Sequence, residues 1–204
     1  TWGIANEICI GGETPDLHSN LEELNRLAHR MDPTRLTTMA CVFFMDPDSP
    51  AVRLTDIVAC NLYFGWYVGK TELNDIWLDD FHASHPDICC GLSEYGAEAV
   101  MNWQTSHPKK GDYTEAYQAL YHEHMAQLLH DRPWIWASHV WNMFDFAADA
   151  RDEGGEAGMN HKGLVTFDRK IKKDAFYLYQ AWLSDDPFVH LCGKRYVDRC
   201  EDET

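Results

Sequence analysis

Two carboxylates, Glu7 and Glu94, each stand directly after a short apolar run of the sequence. Two further runs of this kind lie between them, so we expect the two side chains on separate strands of one sheet. Such a pair can cleave a glycosidic bond, because one protonated carboxyl donates to the leaving oxygen while the other attacks the anomeric carbon. The alternative is that Glu7 and Glu94 are two ordinary solvent-exposed acids among the 33 of the chain, and the spacing alone does not distinguish the two interpretations.

The apolar periodicity predicts an alternation of strands and helices. Strands are predicted over residues 2–5, 36–44, 57–63, 88–93, 134–141 and 188–192, and helices over 17–31, 73–81, 113–130 and 174–183. Asp16 or Ser19 is the expected N-cap of the first helix, and the acidic, Gly-rich residues 147–158 are expected to form a loop.

This alternation is typical of a parallel α/β sheet. Polar residues stand at the strand ends and no Gly-rich phosphate loop follows a strand, which favours a (β/α)8 barrel over an open sheet. A whole barrel needs about 250 residues. The 204 residues therefore predict part of a barrel.

The composition excludes several kinds of partner. The chain carries 17 Lys and Arg against 33 Asp and Glu, a formal net charge of −16, which argues against nucleic acid or an anionic membrane. No run reaches the roughly 18 apolar residues of a membrane span.

Because no Cys spacing is typical of a zinc or disulfide site and no signal peptide is recognisable, a cytoplasmic location is expected. The first residue is Thr rather than Met, as expected of a piece of a longer protein.

Several segments resemble glycoside hydrolase family 2, in the order in which that family has them. Residues 2–7 (WGIANE) resemble its acid/base motif at the fourth barrel strand, and residues 93–97 (SEYGA) its nucleophile strand, the seventh. The other similar segments are 61–67, 111–123, 141–146 and 160–170. The resemblance implies strands four to eight of a TIM barrel over residues 1–186. Residues 187–204 would then begin a following β-sandwich domain or form a tail.

The resemblance also implies roles for individual residues in a retaining hydrolase. Glu7 would be the general acid/base and Glu94 the nucleophile. Asn6 would bind the sugar 2-hydroxyl, and Tyr63 would hold Glu94 in position. Trp141 would offer an apolar platform to the sugar ring.

Substrate specificity depends on Asn160 and Lys162, which resemble a pair that reads the sugar carboxylate in the family's β-glucuronidases. Similar runs also suit β-galactosidases, in some of which a His stands at the place of Ala97. The stretch 111–123, the loop residues 149–154 and the negative charge favour a β-galactoside, with a β-glucuronide as the alternative. An alternative of another class is a non-catalytic carbohydrate-binding or interaction module.

We expect that no cofactor is required. The sequence does not decide whether a longer chain binds a structural Mg²⁺ or Na⁺ ion. No residue is assigned as a metal ligand, because His122 and His124 would point to different sides of a helix and the acidic loop lacks EF-hand spacing. The exposed sheet edges of a partial barrel favour a homo-oligomer. We expect these 204 residues by themselves to have little or no activity.

Overall fold

The computed structural model describes residues 1–198, in which strands and helices alternate. The α-helices are α1 (Pro15–Met31), α2 (Leu73–Ser84), α3 (Glu115–His130) and α4 (Asp174–Leu183). The strands are β1 (Trp2–Asn6), β2 (Thr37–Val42), β3 (Ile57–Asn61), β4 (Cys90–Tyr95), β5 (Ser138–Val140), β6 (Phe146–Ala147) and β7 (Met159–Asn160). Short 3-10 helices cover Ile8–Gly11 and Pro50–Arg53.

The main sheet has the strand order β1-β2-β3-β4-β5, so that every neighbour in space is also the next strand in sequence. The first four strands pair in parallel. All five residues of β3 are buried, as expected of a parallel strand that is covered on both faces. This consecutive parallel order is the one that a sector of a barrel requires.

The chain divides into two compact units. The first unit consists of residues 1–62, 74–95 and 132–139. It contains β1 to β4, α1 and nearly all of α2. The second unit consists of residues 63–73, 96–131 and those from Val140 onward. It contains α3, α4 and the antiparallel pair β6–β7, which joins the two ends of the expected loop and was not predicted.

The N-cap of α1 differs from the prediction. The hydroxyl of Thr14 accepts a hydrogen bond from the backbone N of Leu17 at 3.2 Å, and Pro15 follows as the first helical residue. Asp16 and Ser19, the expected caps, therefore lie inside the helix. Proline suits the first helical position because the helix needs no N–H donor there.

In the second unit, α3 and α4 pack against each other. Thr114 caps α3, since its hydroxyl accepts a hydrogen bond from the backbone N of Tyr117 at 3.2 Å. The first residues of the two helices are joined directly, because the backbone N of Asp174 donates to Oε1 of Glu115 at 2.8 Å.

Two predicted strands differ from the structure. The strand expected over 134–141 is shortened to β5. Residues 188–192 form no strand, because side-chain contacts hold this segment instead: His190 bonds to Asp174 at 2.8 Å. Residues 187–204 were predicted to begin a further domain or to form a tail, and the last six of them, 199–204, lie outside the described residues. The domain boundary at residue 186 stays a prediction.

No helix among residues 1–198 combines the length and the apolar composition needed to cross a membrane.

Candidate active site

Polar side chains meet at the carboxyl ends of β1, β3 and β4 in the first unit. Asn61, the last residue of β3, is buried, and its Nδ2 donates to Oε1 of Glu7 at 2.8 Å and to Oδ1 of Asn6 at 3.1 Å. Its Oδ1 accepts a hydrogen bond from the hydroxyl of Ser93 at 2.6 Å. Asn61 is also the register partner of Glu94. One buried amide therefore connects the strand ends that carry both candidate carboxylates.

The strands that carry these carboxylates are both irregular just before them. Between Gly3 and Asn6, β1 has one residue more than the paired stretch of β2. Between Leu92 and Glu94, β4 has one residue more than β3. Glu7 itself has φ 52° and ψ 22°, in the left-handed region that residues other than glycine seldom adopt. Bulges and backbone strain of this kind are typical of functional sites, where they aim a side chain.

The second unit contains a buried lysine among aromatic rings. Lys162 is 1% exposed, and its Nζ donates to the hydroxyl of Tyr67 at 2.7 Å and to Oε1 of Glu98 at 3.1 Å. The ammonium lies 4.6 Å from the ring centroid of Tyr67 and 5.5 Å from that of Tyr63. Burial lowers the pKa of Lys162 to about 8, although the charge of Glu98 acts in the opposite direction.

A second cation reaches the same carboxylate. Nη2 of Arg151 lies 2.5 Å from Oε1 of Glu98 and 3.1 Å from the hydroxyl of Tyr67. Burial alone would raise the pKa of Glu98, but Lys162, the His161 amide and Arg151 together bring it below its usual range. Two cations thus converge on one fully buried carboxylate.

The loop that carries Lys162 is held by polar contacts on both sides. Oδ1 of Asn160 accepts a hydrogen bond from the backbone N of Lys162 at 3.0 Å, so this side chain shapes the turn before the lysine. Nζ of Lys173, fully buried, donates to Oδ1 of Asp145 at 2.8 Å and to the carbonyl of His161 at 2.9 Å. These contacts fix the backbone on which the Lys162 side chain stands.

Trp141 lies beside this loop in the second unit. Its half-buried ring meets the ring of Phe146 edge-on at 5.7 Å, and its peptide bond to Asn142 is cis. A Cβ on Gly96 would overlap the carbonyl oxygen of Trp141 and lie 3.7 Å from Cδ of Lys162. Glycine is therefore required at position 96 for this close approach of the two backbones.

The predicted site residues fall into two sets, one in each unit. Asn6, Glu7 and Glu94 belong to the first unit, and Tyr63, Trp141, Asn160 and Lys162 to the second. The roles proposed for them stay predictions. Four polar residues of these networks were not assigned from the sequence: Asn61, Tyr67 and Glu98, which contact predicted site residues, and Arg151, which contacts Tyr67 and Glu98. Asn61 stands near the end of a predicted strand, and Tyr67 and Glu98 follow such ends by four and five residues, whereas Arg151 lies in the long loop.

A parallel sheet with polar residues at its strand ends agrees with the result of a comparison with protein families. The family model described as "Glycosyl hydrolases family 2, TIM barrel domain" matches residues 1–184. The chain belongs to this family, and its fold is a part of the family's (β/α)8 barrel.

Individual relatives bear two kinds of name. A β-glucuronidase of Bacteroides fragilis is 40% identical over 200 residues, which cover 95% of this chain and 28% of the relative. The crystal structure of an FMN-binding β-glucuronidase from Facaelibacterium prausnitzii L2-6 is 56% identical with a TM-score of 0.94, over 97% of this chain and 31% of that one. A β-galactosidase of Bacteroides ovatus is 25% identical over 145 residues, 71% of this chain and 15% of the relative. The chain thus spans less than a third of the length of these proteins.

Proposed function

We propose that these residues are part of a retaining glycoside hydrolase whose preferred substrates are β-D-glucuronides. The observation that carries the proposal is the convergence of Lys162 and Arg151 on the single buried carboxylate of Glu98. Because the chain spans less than a third of its relatives, the activity is proposed for the whole protein that contains these residues.

Hydrolysis is assigned to the strand-end carboxylates of the first unit. Glu94 attacks the anomeric carbon and forms a glycosyl ester, while Glu7 donates its proton to the departing oxygen. Glu7 then takes a proton from water, whose oxygen displaces Glu94 and releases the sugar with its configuration retained. Asn61 holds the Glu7 carboxylate by its 2.8 Å hydrogen bond. The role of Asn6 in this proposal is to bind the sugar 2-hydroxyl.

Recognition of an anionic sugar is assigned to the second unit. Lys162 and Arg151 carry two positive charges, whereas Glu98 supplies one fully buried negative charge. Glu153, which also contacts Arg151, has a side chain that is 53% exposed, so water screens its charge. The excess positive charge is suited to a sugar carboxylate, which can accept charge-assisted hydrogen bonds from both cations. A neutral sugar would leave this charge unmatched.

The second candidate is a β-galactoside. Lys162 and the Tyr67 hydroxyl would then bond to neutral sugar hydroxyls, and the Bacteroides ovatus relative that bears this name is 25% identical. The relatives that are 40% and 56% identical are both called β-glucuronidases, which supports the first candidate.

The test compares the hydrolysis of an aryl β-glucuronide and an aryl β-galactoside by the full-length protein and its Lys162→Ala variant. We expect the unchanged protein to prefer the glucuronide. The variant should lose about 100-fold in kcat/KM for the glucuronide and much less for the galactoside, since a charge-assisted hydrogen bond contributes roughly 1.5–3 kcal/mol. Lys170→Ala is the matched control, because the side chain of Lys170 is 79% exposed. A preference for the galactoside, or an equal loss on both substrates, would contradict the proposal.

A further inference from the structure

Three potential metal ligands converge at the beginning of α4, among residues that the proposed hydrolysis does not use. Asp174 is the first residue of α4, and the chain that follows this helix returns to it with His190 and Cys192. A carboxylate oxygen, a ring nitrogen and the thiol sulfur of these residues all lie within 4.8 Å of one another.

We propose that Asp174, His190 and Cys192 bind a divalent transition-metal ion, and Zn²⁺ in particular. One oxygen, one nitrogen and one sulfur ligand form a donor set that suits Zn²⁺, whereas Mg²⁺ and Ca²⁺ prefer oxygen ligands throughout. Three protein ligands leave a fourth tetrahedral position for water. Cys192 is exposed, so an ion can enter from solvent. On binding, the Cys192 thiol releases its proton to water.

The ligands are held in place before any ion binds. The ring of His190 stacks on Tyr177 with centroids 3.8 Å apart and planes 13° from parallel. The backbone N of Gly193 donates to Oδ2 of Asp174 at 2.7 Å. This leaves Oδ1, which now pairs with Nε2 of His190 at 2.8 Å, to face the ion. Hydrogen bonds to a ligating carboxylate of this kind orient metal ligands in proteins.

The surrounding charges allow a cation at this position. Arg195 is a positive group beside the site, with Nη1 3.8 Å from Oδ1 of Asp174. The same nitrogen pairs more closely with Glu115, at 2.6 Å, so the charge of Arg195 is compensated there. The carboxylate of Asp174 and the thiolate of Cys192 then remain to balance the two charges of the metal ion.

The test measures Zn²⁺ binding to the metal-free full-length protein by calorimetry and Co²⁺ binding by absorption spectroscopy. Co²⁺ reports a thiolate ligand through a charge-transfer band in the near ultraviolet and a tetrahedral site through its visible bands. The variants are Cys192→Ser and His190→Gln. Glutamine can still donate a hydrogen bond to Asp174 but ligates Zn²⁺ poorly, so the segment after α4 keeps its anchor. Cys89→Ser is the matched control, because Cys89 is also exposed.

We expect the unchanged protein and Cys89→Ser to bind one equivalent of Zn²⁺ and to show the thiolate–Co²⁺ band. Cys192→Ser should lose this band, and both site variants should bind Zn²⁺ at least about 100-fold more weakly. The loss of a residue that only hydrogen-bonds to a metal ligand already weakens metal binding by roughly 10–100-fold, and the loss of a ligand should weaken it at least as much. The proposal is overturned if the unchanged protein binds no stoichiometric Zn²⁺, or if Cys192→Ser and His190→Gln bind it as tightly as the control does.

Discussion

Asn61 contacts the side chains of three other residues at the strand ends, although it is not assigned to bind the sugar. If the amide positions the acid/base, Asn61→Ala should lower kcat about 10- to 100-fold, a part of the roughly 10²–10⁴ that acid–base catalysis supplies. KM should change less than kcat, because the hydrogen bond of Asn61 to Glu7 is shorter than its bond to Asn6, the residue assigned to the sugar 2-hydroxyl. Steady-state kinetics of the full-length protein measure both constants.

Asn20→Ala is the control for this prediction, since Asn20 is exposed on α1. A large rise in KM with unchanged kcat would assign Asn61 to substrate binding instead.

If the proposed glucuronide specificity holds, the buried ammonium of Lys162 should make the recognition of this substrate depend on pH. Its pKa of about 8 in the free protein means that the charge is lost as the pH rises through this value. The kcat/KM for an aryl glucuronide, which reports ionisations of the free protein, should therefore fall above about pH 8. The value for an aryl galactoside should not show this fall. Identical alkaline limbs for both substrates would contradict the prediction.

The predicted fall in activity would not come from unfolding, because the loss of the Lys162 proton does not destabilise the folded protein in this pH range. The unfolded chain, with its higher lysine pKa near 10.5, binds more protons than the folded protein above pH 8. The contribution of this group to the free energy of unfolding therefore increases with pH in that range.

Gly96 lies where the chain leaving β4 passes the carbonyl of Trp141. Gly96→Ala would put a methyl group onto that oxygen, so we expect a loss of about 1–3 kcal/mol in stability. Activity should fall with it, because Trp141 and Lys162 stand on the displaced segments. Chemical denaturation measures the change. Gly11→Ala, where nothing lies within 4 Å of the added atom, should be close to neutral.

The long elements could be predicted from the sequence because their periodicity is local. The start of α2 and both bounds of α4 follow from apolar spacing, and the order of the first four strands follows from their alternation with helices. The pair β6–β7 could not be predicted, since two residues per strand carry no periodicity. The strand expected at 188–192 is absent because the side chain of Asp174 anchors that segment through His190.

The motif residues could be located in the sequence, whereas the side chains that hold them in place could not. Glu7, Glu94 and Lys162 were found through segments that resemble a known family. Asn61 and Glu98 were missed because their contacts join residues 54 and 64 positions apart, and no local pattern records such pairs.

The hydrolase assignment and the non-catalytic alternative differ in what Glu94→Gln does to the whole protein. As the nucleophile, Glu94 cannot be replaced by an amide, so turnover of an aryl glucuronide should fall at least about 10³-fold while the substrate still binds. Rapid kinetics and binding calorimetry measure the two effects. Glu123→Gln, an exposed position on α3, is the control. Unchanged turnover would remove the nucleophile assignment.

The extra residues in β1 and β4 constrain the length of these segments as well as their composition. Side chains of a strand alternate between two faces, so one inserted residue reverses the face of everything that follows it. The bulge between Gly3 and Asn6 accommodates one such residue, because Asn6 still pairs with Ala40 beyond it. An insertion or deletion that shifts this register by one residue would turn the Glu7 carboxylate to the opposite side of the sheet. Variants of this protein should therefore tolerate substitutions at Ile4 more readily than any insertion or deletion before Glu7.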